Sequence, residues 1–412
     1  MHFGTGVYHI MLRSAKARTR TERQDALLAA ERSFAAIDEV ADQSDVSLRA
    51  LVQNNLSVIY SGLAGLEPTR EARGAWLRRA VEAVEEAVRI CRDLGVQGGL
   101  ASPLTNVSTR YSDLAGLETT REARGAWLRK AVEAVEEAIR IRRDLGVQGD
   151  LALSLNNVSN RYSDLAGLES TREACGAWLR RAVTAVEEAV RIHRDLGVQG
   201  ELAGSLNNVS NRYSDLAGLE ATREVRAAWL RRAAGAVDEA VRIRRDLGVR
   251  GELATSLNNA SNRYSDLAGL ETTREARGAW LRKAVEAVEE SVRIRRDLGV
   301  QGDLAMSLGA TCHVLRMRAE NSEDAADSLP DLRASRDAIE EAARLLRESG
   351  NAPYFLNALQ DVVLAQVLLV QAGDSVDPAA IREVCVEGRD LAESMEDDGK
   401  LAFFNDVLSR LG

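Results

Sequence analysis

Aromatic residues make up only 4% of this chain, and proline, cysteine and histidine occur five, four and four times in 412 residues. Few aromatics and prolines, beside abundant Ala, Leu, Val, Glu and Arg, is the palette of closely packed helices. Cys91, Cys175, Cys312 and Cys385 show no CxxC spacing, which supports neither a zinc site nor a disulfide framework and fits reduced thiols of a cytosol. His2, His9, His193 and His313 belong to no nucleophile–base constellation, and no P-loop or dinucleotide fingerprint occurs. Catalysis has no foothold, and neither a metal nor a cofactor is called for. No run of 18 apolar residues occurs, and the apolar patch at 7–12 lacks the long h-region and cleavage site of an export signal. A soluble, cytoplasmic chain with no membrane partner is expected.

Lysine is scarce too. Of 54 basic residues all but Lys16, Lys130, Lys283 and Lys400 are arginine, a mark of genome bias. The net charge of -9 is unevenly placed: from Arg318 to the end there are 20 acidic against 9 basic residues, while the region before it is close to neutral. The electrostatic footprint of a DNA or RNA binder is missing.

What the chain does have is a period. Trp76, Trp127, Trp178, Trp229 and Trp280 recur every 51 residues, and the phrase Arg-Asp-Leu-Gly-Val closes each copy at Val96, Val147, Val198, Val249 and Val300. Such tandem duplication specifies an elongated repeat array. In the third copy, Leu151, Leu155, Val158, Tyr162 and Leu165 fall at i, i+4, i+7, i+11 and i+14, one apolar stripe on a helix A. Thr171, equivalent to Thr69, Thr120, Thr222 and Thr273, is placed to N-cap a helix B, and Pro68 suits the break before it. In helix B, Trp178, Leu179, Ala182, Val183, Val186, Ala189, Val190, Ile192 and Leu196 cover close to half the wheel, so burial on two sides is expected. The tryptophans are read as core or inter-repeat packing, Gly197 as a C′ glycine, and Glu187–Arg191 and Arg191–Asp195 as surface pairs. Helix B could span about 26 residues. A glycine inside it, at Gly74, Gly125, Gly176 and Gly278, either breaks the helix or admits a neighbour.

The organisation follows: an irregular helical hairpin or cap over 1–42, with basic Arg13, Lys16, Arg18, Arg20 and Arg23; five repeats over 43–302; and degenerate repeats with a capping helix over 303–412. Helices are expected at 332–346, 352–372, 378–395 and 401–411.

The spacing of Leu155, Val158, Ser159 and Tyr162, then Ala182, Val186 and Ala189, resembles the tetratricopeptide (TPR) signature, whose unit is about 34 residues. The unit here is longer and lacks the usual closing proline. Ser-Leu-Asn-Asn at 154–157 is similar to kinesin-light-chain-like bacterial arrays. The resemblance implies an all-α TPR-like α-solenoid, a right-handed superhelix of seven to eight antiparallel hairpins with helix A inside. It also implies a scaffold or regulator that holds a protein or peptide in its groove. Self-assembly into rings or filaments, and service as the sensor or regulatory partner of a separately encoded effector enzyme, are alternatives, so homo-oligomerisation stays open.

The candidate partner-binding residues are polar positions of helix A. Asn55, Asn106, Asn157, Asn208 and Asn259 repeat in all five copies, joined by Asn156, Asn207 and Asn258. Asparagine is a mediocre helix former, so its repetition in mid-helix suggests that the amide is used. By the resemblance, the Asn157 series bonds peptide main chain; tying neighbouring helices together is the alternative use. Asn160, Arg161, Asn211 and Arg212 extend the stripe, suited either to an acidic or extended peptide or to ion pairing along the helix.

Overall fold

The computed structural model describes residues 20–40, 46–67 and 69–411. Pro68 and the basic residues Arg13, Lys16 and Arg18 lie outside them. Sixteen helices and no strand occur among the described residues. The chain divides into two compact units, 1–198 and 199–412. The first holds α1 (Arg20–Val40), then hairpins α2–α3 (Val46–Ala64, Arg70–Asp93), α4–α5 (Gln97–Ala115, Arg121–Asp144) and α6–α7 (Gln148–Ala166, Arg172–Asp195). The second holds hairpins α8–α9 (Gln199–Leu219, Arg223–Asp246), α10–α11 (Arg250–Leu270, Arg274–Leu298), α12–α13 (Gln301–Glu320, Ala325–Ser349) and α14–α15 (Ala352–Gln371, Pro378–Ser394), closed by α16 (Asp398–Leu411). Each unit is an all-α, TPR-like stack of antiparallel hairpins.

Local chemistry sets the boundaries. Thr69, Thr120, Thr171, Thr222 and Thr273 are extended N-caps whose hydroxyls accept the amide three residues on, as Ala174 N to Thr171 Oγ1 at 3.2 Å. At the other end Gly95, Gly146, Gly197, Gly248 and Gly299 take positive φ of 65–70°. Around Gly146 its own N–H bonds Arg143 O while Val147 N–H bonds Arg142 O, the paired reach-back that closes orphan carbonyls. Helix B is 24 residues long in copies one to four and unbroken through Gly74, Gly125 and Gly176. Gly74 and Gly125 admit a neighbour instead: Leu117 Cδ1 lies 3.4 Å from where a Cβ on Gly74 would stand, and Leu168 Cδ1 3.6 Å from that of Gly125.

Within a unit each helix B packs against its own helix A and the next one. All five stripe residues of α6 are buried, as are Leu179, Ala182, Val183, Val186, Ala189 and Val190 of α7. Two expectations for α7 need correction. Ile192 is only half-buried, and Leu196 is 47% exposed, because it follows the helix end and leans on the preceding turn, with its Cδ1 3.9 Å from the Cβ position of Gly149.

The junction between hairpins also buries an arginine. Arg142, Arg244 and Arg295 occupy one repeat position, each at most 7% exposed, and reach into the N-terminal turn of the next helix A. Arg244 Nη1 donates to Glu252 O at 2.9 Å and to Ser256 Oγ at 2.6 Å; Arg295 treats Asp303 O and Ser307 Oγ alike, at 2.6 and 2.5 Å. Loss of hydration holds all three guanidiniums below their usual pKa. In the first junction Cys91 replaces the arginine and Pro103 the serine. Proline at 103 cannot bond Gly99 O, and the Cys91 thiol donates to that carbonyl at 3.5 Å.

The last hairpin shows how tightly the stack ends. Phe404 of α16 is fully buried, and its ring lies against Gly388 of α15, where a Cβ would overlap three ring carbons. Gly388→Ala is therefore expected to cost about 1–3 kcal/mol by overpacking. Hydrogen exchange should rise selectively over 398–411; unchanged exchange and melting would refute this contact.

Candidate functional site

None of the predicted helix-A residues Asn55, Asn106, Asn156, Asn157, Asn160, Arg161, Asn207, Asn208, Asn211, Arg212, Asn258 and Asn259 is exposed. Several amides join successive A helices: Asn106 Nδ2 donates to Asn54 Oδ1 at 2.8 Å, Asn259 Nδ2 to Asn207 Oδ1 at 3.5 Å, and Asn207 Nδ2 to Ser256 Oγ at 2.8 Å. The ladder stops at Asn258. That residue is 9% exposed and its Oδ1 has no donor, because Gly309 and Ala310 stand where the next asparagine pair would be. The stripe arginines are ion-paired within their own helix, Arg161 to Asp164 at 3.0 Å and Arg212 to Asp215 at 3.4 Å.

The tryptophans pack against the edge of the core rather than lying fully inside it. All five are half-buried, each stacked or tilted against a tyrosine of helix A, as Trp178 on Tyr162 at 5.7 Å between centroids. A cation covers the pair, with Arg181 Cζ 4.3 Å from the Tyr162 ring and 4.7 Å from Trp178. Lys130 and Lys283 take the same place in copies two and five. Trp178 Nε1 donates to Glu169 at 3.0 Å and Tyr162 Oη to Glu136 at 2.5 Å. The indole keeps a wet edge because its N–H and the covering cation both need polar surroundings. Each cluster is a peg holding the two helices of a hairpin together.

A concavity lies in the second unit. A cavity of about 890 Å³ is walled by four successive A helices, α8, α10, α12 and α14, with Arg226 and Leu230 of α9. Four repeat positions supply most of its A-helix lining. They read Asn211, Ser214, Asp215 and Gly218 in α8, of which Ser214 and Gly218 reach the wall, and Asn262, Ser265, Asp266 and Gly269 in α10, of which all but Asn262 reach it. In α12 they have become His313, Arg316, Met317 and Glu320, and in α14 Leu364, Val367, Leu368 and Gln371. The wall thus runs from small and polar to large and apolar.

The helix α14 is long and apolar enough by composition to cross a membrane, yet half of that stretch is buried. Its half-buried Leu364, Val367 and Leu368 face the cavity. Arg316 is held by Asp361 at 3.1 Å, and Arg226 donates to Glu220 O at 3.1 Å. Burial pushes the Asp266 carboxyl above its usual range, and lost hydration together with Arg316 pulls His313 below its own. Asn258, Ser265 and Gly269 fall at i, i+7 and i+11, so the open amide and the cavity share one face of α10. Sequence reading passed over this site; the signal was the departure of copy six from the repeat at those four positions.

No family model matches the chain, and no curated protein matches it. Among solved structures it is similar to BtubC (BKLC) from P. vanneervenii, at 19% identity over 69% of this chain and 94% of that one, with a TM-score of 0.44. The apo form of RapI aligns at 12% identity over 84% of this chain and all of its own, with a TM-score of 0.47. A STAND signal-transduction ATPase with a tetratricopeptide repeat sensor, from Pyrococcus horikoshii, aligns at 13% over 93% of this chain and 54% of its own, at 0.44.

The tyrosine pegs carry a pH signature. Burial first, then the carboxylate each phenol bonds, pushes Tyr111, Tyr162 and Tyr264 well above the usual value of 10.0. Because the folded chain holds these protons more tightly, their stabilisation is complete below pH 10 and is lost as pH rises beyond it. Spectrophotometric titration should show phenolate forming together with loss of helix; early, non-cooperative ionisation of most tyrosines would contradict the buried pegs.

Proposed function

We propose that the chain is a protein-interaction module that holds a segment of a partner protein against helix-A surface, seated in the cavity of the second unit. The observation that carries this reading is the coordinated change at the four lining positions. Copies four and five keep the repeat residues there, whereas α12 and α14 replace them with an apolar, charged-rimmed wall. A cavity of about 890 Å³ with a half-buried apolar floor and a few polar groups fits a peptide-recognition surface. Asn258 adds a second contact: its buried Oδ1 needs a donor, and a main-chain N–H of an extended segment lying along α10 supplies one. On this reading the asparagine stripe of the other A helices, including Asn157, Asn160 and Arg161, is the polar extension of the same kind of surface.

Segments selected from a random peptide library on the intact protein test the proposal. Leu368→Arg should weaken their binding at least about tenfold, as expected for loss of an apolar anchor. Asn258→Ala should cost a few-fold, about 0.5–1.5 kcal/mol for one hydrogen bond. Circular dichroism and melting should be unchanged for both. Selected segments that bind Leu368→Arg as well as the parent would place the site elsewhere.

A further inference from the structure

The chemistry of the occupant can be narrowed; this step rests on the cavity being the binding site. We infer that the cavity takes a basic amphipathic segment of a partner protein, with an apolar stripe on Met317, Leu364, Val367 and Leu368 and Lys or Arg side chains toward Asp266 and Glu320. Three observations lead there. Three of the apolar residues, Leu364, Val367 and Leu368, lie on α14, and Met317 of the adjacent α12 stands at the position equivalent to Leu368, so they form one strip rather than scattered patches. Of the cations at the wall, Arg316 is paired with the Asp361 carboxylate at 3.1 Å, and Arg226 turns one Nη to the Glu220 carbonyl at 3.1 Å. The carboxylates are less committed: Asp266 has only a 3.6 Å approach from Arg263 and a 3.4 Å bond from Ser214, and Glu320 stands exposed. Beyond the wall, the sequence from Arg318 onward carries 20 acidic against 9 basic residues, which steers a cationic segment toward this region.

Two labelled probe peptides of equal length test this on the full chain: a leucine–lysine amphipathic helix and its leucine–glutamate counterpart. The first should bind, by fluorescence anisotropy, and the second should not. Leu364→Arg, which fills the strip and adds a repelling charge, should weaken the lysine probe about tenfold, and Leu364→Ala a few-fold if the arginine variant fails to fold. Asp266→Asn with Glu320→Gln should lower affinity about three- to tenfold and flatten its salt dependence. Equal or tighter binding of the glutamate probe overturns the inference. So does a lysine probe that binds parent and variants equally, which marks general attraction to an acidic chain. If neither probe binds while library-selected segments do, and those are lost in Leu368→Arg, the basic character is wrong and the cavity site stands. If selected segments ignore Leu368→Arg, the cavity reading itself fails.

Discussion

A helix B that is apolar over nearly half its circumference cannot be satisfied by one partner helix. Its own helix A covers one side, and the other must be covered by the helix A that follows. Within each unit this two-sided demand welds hairpin to hairpin, and it explains why the repeat tolerates so little change at Ala182, Val186 and Ala189, all fully buried. Small residues at these places let the backbones approach, so the stack is held by shape before any polar contact is made. Stability in such an array is the sum of hairpins and junctions.

The polar contacts then decide register. A buried arginine is expensive unless its donors find acceptors, and Arg244 and Arg295 each turn Nη1 to a main-chain carbonyl and a serine hydroxyl of the following helix start, while the buried Nε of each makes no hydrogen bond. Those groups are available at only one alignment of the two hairpins. The arginine therefore acts less as a source of cohesion than as a check on how the next hairpin docks. Cys91 with Pro103 shows the same logic from the other direction: when the cation disappears, its serine partner disappears with it, and a thiol serves the carbonyl that proline leaves open.

Most of the fold was legible because it depends on neighbours in sequence. Threonine caps, C′ glycines and the apolar stripes of α6 and α7 are local devices, and the decayed C-terminal helices were readable for the same reason, with α13 running from Ala325 to Ser349 rather than 332–346 and α16 starting at Asp398 rather than 401. What was not legible depends on contacts between helices, whatever their separation along the chain. Trp178 reads as core on a helical wheel, yet Tyr162 and Arg181 make it half of a surface sandwich. Arg142 reads as one more arginine in a last turn, suited to the helix dipole, until Ser154 is placed beside it. The cavity is the extreme case, since its lining is drawn from five helices and no single helix announces it.

That lining also shows how a repeat protein can acquire one surface unlike the others. Near-identical copies present near-identical surfaces, and a uniform stripe of Asn, Ser and Asp can bond main chain anywhere along its length while discriminating little. Discrimination needs copies to differ. From α10 to α14 the position of Asn262 becomes His313 and then Leu364, and that of Asp266 becomes Met317 and then Leu368, while the buried positions Leu257, Leu308 and Leu359 stay leucine. Packing positions hold the hairpins in register, and the lining positions, freed from packing, diverge into a surface with direction: polar at one end, apolar at the other. A segment lying in it is oriented by that gradient, which a perfectly repeated array could not do.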